Sequence, residues 1–505
     1  MQASNRIIIN TLAQYIRTIV NMVLSLYSSR LVLEILGVED YGVYSLVAGI
    51  VSMLSFLTNS LVGSTQRFLS VSQGKGDIRH LKEVFSNSLI LHIVLGFLVA
   101  VVLGILTPFI FNGFLNIPVG RIEVAEKLYI MVILMVYASF IASPFRALLV
   151  SHENIVYTSI IDMLDGVLKV ILVLVLPKFH YDKLLAYGLI MLSIQLFNLF
   201  AFMIYSYGKY EECILPRLKY FSMTYVKELL SFTSWVVYSS MCVTLKMQGL
   251  SVVLNKVYGT FMNAAYGIGS QISGMISFIS SSFNNAIAPQ LMAAEGSGDR
   301  RRMLYLAQIQ SKVSFLLLAL IGIPTMFEMQ KILEIWLVDV PKHTVLFSCM
   351  FLSTQIVDML STGLSLANKA IGNIGKYTMI TYTPKLFVLP LSWFALYIGA
   401  PLFSVAIIMF TIEAICMLLR IYLFKNESWF NLSDYLKSVI LRTLPPVVIS
   451  VVACVLVQLL VETRMRLLYT YGCSMPLFLI TSYIIALNQS EKGIVKSLVM
   501  KISKR

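Results

Sequence analysis

The sequence predicts an all-α polytopic membrane protein of about 14 transmembrane helices, built as two parallel-repeat six-helix lobes plus a two-helix C-terminal appendage. Three observations predict it. The 505 residues are 58% hydrophobic and only 13% charged, with a mean hydropathy of +0.82. Soluble chains average about 25% charged residues, so this apolar surplus has to face lipid. Apolar runs of about 20 residues, enough to cross a bilayer core, recur along the whole chain. Finally, a stretch of 50 residues repeats 222 positions later with 12 identities.

In chain order the runs lie near 10–35, 42–66, 86–112, 124–145, 154–176, 184–207, 231–255, 264–288, 311–328, 345–368, 377–398, 401–424, 441–461 and 467–487. They are too long and too uniformly apolar for barrel strands, which leaves helices. Arg6 precedes the first run as in a secretion signal. Asn10, Gln14, Arg17 and Asn21 interrupt that run, however, and no small-x-small site follows, so the segment is expected to stay in the mature protein. No gap has room for a folded extramembrane domain; the longest, about 208–230, is polar. The six cysteines are scattered without a C-x-x-C and read as small buried hydrophobes, with no metal site or cofactor expected.

Charge sets the orientation. Lys and Arg number 39 against 25 Asp and Glu, a formal +14. Gaps on the N-terminal side, with Arg67, Arg146, Arg300, Arg301, Arg302 and Arg420 counted among them, hold 24 basic residues once Arg6 and the C-terminal tail are included. The opposite gaps hold 8: Arg121, Lys178, Lys183, Lys256, Lys331, Lys342, Arg464 and Arg466. The positive-inside rule therefore puts both termini in the cytoplasm. No arginine-rich arm or zinc spacing reads as a nucleic-acid binder.

The repeat divides the chain. Gly74-Lys75-Gly76-Asp77-Ile78-Arg79 matches Gly296-Ser297-Gly298-Asp299-Arg300-Arg301, and the same register pairs Tyr44 with Tyr266. An even number of helices per copy keeps the copies parallel. The expected divisions are 1–222 and 223–430 for the six-helix lobes and 431–505 for the appendage. In each G-x-G-D loop the glycines permit a tight turn, and Asp77 or Asp299 is placed to cap the next helix.

Polar residues inside the runs are the functional candidates, because charge in a bilayer is costly and marks pathways or sites. Asn10, Gln14, Arg17, Asn21, Ser25 and Ser28 fall at helical spacing and form one face of the first span. Ser240, Thr244, Gln248, Ser251 and Asn255 form a second such face in the seventh, with Lys246 beside it. Four cations, Arg17, Arg30, Lys246 and Lys385, give the spans a positive cast, and a guanidinium suits phosphate geometry. Arg30 and Glu34 are spaced for a local ion pair, as are Asp165 and Lys169. Asp162, Asp165, Asp358 and Glu413 are either ion-coupling sites or partners for the buried cations. His92 reads as a hydrogen-bonding bundle residue. No catalytic constellation accompanies them, so an enzyme is not expected.

The stretch Leu36-Gly37…Tyr41-Gly42-Val43-Tyr44, its echo Tyr258-Gly259…Ala265-Tyr266, the paired G-D loops and Ile332-Leu333-Glu334-Ile335-Trp336-Leu337 resemble the multidrug/oligosaccharidyl-lipid/polysaccharide exporter superfamily. Fourteen spans and a basic cavity look like its polysaccharide repeat-unit flippases. The resemblance implies a multi-pass protein of the bacterial cytoplasmic (inner) membrane. It would move an undecaprenyl-pyrophosphate-linked oligosaccharide, the repeat unit of O-antigen, capsule or exopolysaccharide, to the periplasmic leaflet by alternating access. Arg17, Arg30, Lys246 and Lys385 would then meet the pyrophosphate, and a polysaccharide polymerase would be a partner. The echo carries Ala265 where the first copy has Val43, without the second glycine. The membrane carboxylates keep a cation-coupled multidrug extruder on the same scaffold as the alternative. A peptidoglycan-precursor flippase or a membrane-embedded glycosyltransferase stands further off, the latter for want of an extramembrane catalytic loop.

Overall fold

A computed structural model of the chain describes residues 3–111, 119–178, 182–216, 218–258, 260–337, 340–372, 374–425, 430–461, 465–489 and 491–493. Among these every regular element is helical. In order they are α1 (Ala3–Lys75), α2 (Ile78–Phe109), α3 (Ile122–Ser151), α4 (Ile155–Val175), α5 (Lys183–Lys209), α6 (Met223–Tyr258), α7 (Thr260–Gly296), α8 (Arg300–Phe327) and α9 (Met329–Trp336). Then follow α10 (Thr344–Met359), α11 (Thr362–Ile371), α12 (Gly375–Tyr382), α13 (Val388–Tyr397), α14 (Phe403–Lys425), α15 (Leu432–Tyr435), α16 (Arg442–Leu460) and α17 (Arg466–Thr481).

Nine helical stretches among the described residues are long and apolar enough to cross a membrane, or ten if the bent pair α10–α11 is one span. The protein is therefore an all-α polytopic membrane protein. The helices overrun the apolar runs: α7 and α8 extend over 260–296 and 300–327, where 264–288 and 311–328 were expected. That overrun corrects part of the loop-charge reading. Arg67, Arg146 and Arg420 belong to α1, α3 and α14, and Arg67 and Arg420 are buried. Hydropathy ends a run at the first cation, whereas a helix continues through a cation whose charge has a partner.

Two compact units divide the chain, residues 1–237 with 296–298 and residues 238–295 with 299–505. In the first unit, α1 is interrupted at Gly37, where φ is +79° and ψ is 170°, a conformation an L-side chain resists. Three residues on, buried Asp40 accepts from Arg121, which also bonds Asp182. Asp182 in turn caps α5 by accepting from the Leu184 and Leu185 amides (2.9 and 3.2 Å). One loop arginine thus ties the α1 interruption to the start of α5, above a core that includes Val32, Leu36, Leu128, Tyr129, Val173 and Tyr187.

Both G-x-G-D loops adopt the expected turn. Gly76 and Gly298 have φ of +71° and +79°, and Asp77 and Asp299 accept from the His80 and Arg302 amides at 3.1 and 3.0 Å. The repeated sequence makes a repeated local structure.

In the second unit one core joins α6, α7, α10, α13 and α14 through Leu250, Tyr266, Phe347, Val388 and Met409. The C-terminal helices dock on α8: Phe315, Ala319 and Ile323 pack with Cys454 and Phe478. Ion pairs fasten both ends of this contact. Glu328 holds Arg466 at 3.0 Å and Thr470 at 2.8 Å, and Lys312 holds Glu491 at 3.0 Å. The six cysteines form no disulfide.

Candidate functional site

The candidate charges gather into one cluster in each unit, half-buried in the first and largely buried in the second. In the first unit α4 comes close to α1 at Gly166, where an added Cβ would stand 3.0 Å from Leu24. One turn earlier Asp162 lies between two arginines. Arg17 Nη1 of α1 donates to Asp162 Oδ2 at 2.8 Å. Arg146 of α3 grips the same carboxylate with both ends of its fork, at 2.7 and 3.1 Å. Two cations on one carboxylate leave a net positive charge. The three side chains keep 21%, 35% and 19% exposure for Arg17, Arg146 and Asp162, so the cluster is half-buried. Arg146 also borders a cavity of about 320 Å³ with Thr58, Asn59, Gln195 and Asn198.

In the second unit α6 meets α13 at Gly249, where a Cβ would lie 2.8 Å from Leu389. Lys246, one turn away, donates to Glu413 Oε2 of α14 at 3.1 Å. Lys385 donates to Glu413 Oε1 at 2.5 Å and stands 3.7 Å from Asp358 Oδ1. Arg420 completes the chain through Asp358 Oδ1 at 2.6 Å and Ser361 Oγ at 3.2 Å. Its Nε is buried without a hydrogen-bond partner among the described residues. Three cations face two carboxylates, so this cluster too is net positive.

The backbone explains how these residues meet. The α10–α11 span bends by 50° just after Asp358. The α12–α13 span passes through a tight turn at Thr383–Phe387, where Pro384 removes an amide donor and Lys385 sits. Broken helices within a membrane are tolerated where polar groups are satisfied or line a cavity, and in transporters they build sites. The first cluster draws on α1, α3 and α4, with Asn198 of α5 bonding Asp165 beside it; the second draws on α6, α10, the Thr383–Phe387 turn and α14.

The remaining expected residues distribute unevenly. Arg17 is paired with Asp162, one of the carboxylates expected either to couple ions or to partner a buried cation; the two are 145 positions apart, so local spacing does not single out the pair. Asp165 takes its hydrogen bond from Asn198 (2.5 Å), where a Lys169 pair was expected. Asn10 is buried and donates to the Glu153 carbonyl at 2.9 Å; Gln14 is buried beside it. The Asn21 carbonyl oxygen is buried without a partner among the described residues. On α6, Gln248 is exposed and Ser251 partly so, while Lys246 is buried. The side chains of Arg30 and Asn255 lie outside the described residues. His92 bonds its own helix through Ser88 O at 2.7 Å. Arg146 and Arg420 were counted as loop cations and so missed. The spacing of Glu413 and Arg420, two helical turns on one face, is a signal that could have found the second.

Residues 4–294, more than half of the chain, match the family described as polysaccharide biosynthesis protein. The chain belongs to that family. The uncharacterized membrane protein EpsK of Bacillus subtilis is 24% identical over 325 residues, which are 62% of this chain and 61% of EpsK. The chain thus spans less than two thirds of that relative. Among solved structures, MATE in the bent conformation aligns with TM-score 0.74 at 13% identity, covering 86% of this chain and 96% of that one. A MOP superfamily transporter from Pyrococcus furiosus aligns with TM-score 0.72 at 13% identity, over 86% and 97% of the respective chains. At these identities the family member shares their fold, and its chemistry has to be argued from its own residues.

Proposed function

We propose that this family member is a flippase, which carries an undecaprenyl-pyrophosphate-linked oligosaccharide from the cytoplasmic to the periplasmic leaflet of a bacterial inner membrane by alternating access. The observation that carries the reading is the charge of the two clusters. Each holds one more cation than carboxylate, and the half-buried Arg17–Asp162–Arg146 group offers two guanidinium groups that keep part of their surface exposed. A pyrophosphate is an acceptor-only dianion, and planar donor forks suit it. Binding would draw Arg17 or Arg146 away from Asp162 at small net cost, because one charge-assisted pair replaces another.

The finer architecture belongs to the same proposal. The nine apolar stretches, the bent pair, α1 taken on each side of Gly37, α4 and α7 give fourteen spans. The helix α4 is 21 residues long, about 30 Å at 1.5 Å per residue. It falls short as an apolar span because it carries Asp162, Asp165 and Lys169, the first of which holds both arginines. Lobes of 1–222 and 223–430 with an appendage of 431–505 fit this count. The cation-coupled extruder is the weaker reading: Asp162, Asp358 and Glu413 already face cations, so no carboxylate of these clusters awaits a cationic drug. For the P. furiosus transporter, reverse polarity of the binding pocket suggests a different function, a precedent for pocket polarity differing within one fold.

Variants of Arg17 test the proposal. Arg17→Ala leaves Asp162 in the two-pronged grip of Arg146, so membrane abundance should be normal while surface polysaccharide collapses. Lys at this position should rescue in part. Normal surface polysaccharide at normal abundance in the Ala variant would remove Arg17 from the site.

A further inference from the structure

A second polar cavity, of about 420 Å³, opens where α1 begins, α4 begins and α5 ends; Arg6, Asn10, Glu153, Asn154, Lys209 and Tyr210 line it. Its size falls in the ~300–1,000 Å³ range of small-molecule sites. Its wall is rigid. The Asn154 amide donates to the hydroxyls of Tyr205 and Tyr210 at 2.8 and 3.1 Å, and Lys209 donates to Tyr205 at 2.7 Å. Tyr210 stacks on His152 with ring centroids 4.1 Å apart, His152 is bonded to Glu212, and Tyr157 stacks on Tyr205 at 3.8 Å. Glu153 holds a left-handed backbone with φ +58°, a conformation that costs a non-glycine residue about 1 kcal/mol. The Asn10 amide secures it through the Glu153 carbonyl.

The lining is chemically mixed. Arg6, Lys209 and the Tyr210 hydroxyl bring donors, the Glu153 carboxylate brings acceptor oxygens, and the Tyr210 ring, stacked on His152, brings an aromatic surface. A bare phosphate accepts only and would be repelled by Glu153. A sugar ring donates, accepts and presents an apolar face. The cavity lies on the same side of α1 as the arginine cluster: Asn10, Gln14 and Arg17 share one helical face, and seven residues of helix span about 10 Å.

We propose that this cavity is a glycan subsite, which binds the sugars nearest the pyrophosphate while Arg17 and Arg146 hold the pyrophosphate itself. The inference rests on the flippase reading and extends it to recognition of the head group.

The test uses the full chain in lipid nanodiscs and two kinds of probe. One is farnesyl pyrophosphate; the other is the same lipid carrying N-acetylglucosamine, N-acetylgalactosamine, glucose or galactose. At least one sugar-bearing probe should bind about tenfold more tightly than the bare one, the worth of one or two well-placed hydrogen bonds. Tyr210→Ala and Glu153→Gly should abolish that increment and leave binding of the bare probe unchanged. Glycine relieves the left-handed strain at position 153, so a loss there is not a loss of fold. Arg17→Ala should weaken both probes. Equal affinity for bare and sugar-bearing probes, or an equal loss of both in Tyr210→Ala, overturns the subsite alone. Failure of the wild-type protein to bind either probe overturns the flippase reading and the subsite with it.

Discussion

Glu413 answers two lysines at once, and no other carboxylate among the described residues stands within 3.5 Å of Lys246. Glu413→Gln therefore strands Lys246 and leaves Lys385 only Asp358 at 3.7 Å. Removing one partner of a buried ion pair costs roughly 3–5 kcal/mol, so this variant should melt well below the wild type. Adding Lys246→Met removes the stranded charge and should restore much of the loss. A double variant no more stable than Glu413→Gln would show that the two groups are not coupled. The sequence made each of these charges visible, because a lone Lys246 or Glu413 in an apolar run is conspicuous. It did not make their pairing visible, because Lys246 and Glu413 are 167 positions apart. Arg146 and Arg420 were hidden for a further reason. Counting positive charge assigns every cation near the end of an apolar run to a loop, whatever partner it has.

Broken and capped elements set where these side chains stand. The turns at Gly76 and Gly298 were legible, since the G-x-G-D pattern states both the φ requirement and the cap. The bend after Asp358 was not, since Leu360-Ser361-Thr362 contains neither Pro nor Gly and the break follows from packing. Another element-scale device is the loop clamp of Arg121 on Asp40 and Asp182. Burial alone would raise the Asp182 carboxyl, but its bonds to Arg121 and to the Leu185 and Leu184 amides outweigh that and hold it below the usual carboxylate range. A folded-state value depressed below the unfolded one contributes stability above the unfolded value, and that contribution is lost as pH falls through the folded one. The first unit should accordingly lose stability below about pH 4. Asp182→Asn should lower the melting temperature at pH 7 and flatten its decline in acid. Parallel pH profiles for the two proteins would mean that the clamp contributes nothing.

At the scale of the whole molecule, the repeat and the charge asymmetry make one topological claim. Reporter fusions after residues 75, 218 and 505 should all report cytoplasm, and a periplasmic signal at 218 would break both the fourteen-span count and the six-plus-six division. Composition was enough to read a polytopic membrane protein, and the G-D loops were enough to read two matching turns and helix caps. The docking of α16 and α17 on α8 was beyond the sequence, because Lys312, Glu328, Arg466 and Glu491 look like ordinary end-of-span charges until the helices are packed. The central claim is that the positive clusters serve an anionic lipid-linked glycan. Reconstitution in proteoliposomes with a fluorescent undecaprenyl-pyrophosphate oligosaccharide tests it most directly. The labelled glycan should cross the bilayer with the wild-type protein and stay in its leaflet with Arg17→Ala. Extrusion of an organic cation driven by a proton or sodium gradient, with the labelled glycan immobile, would contradict it.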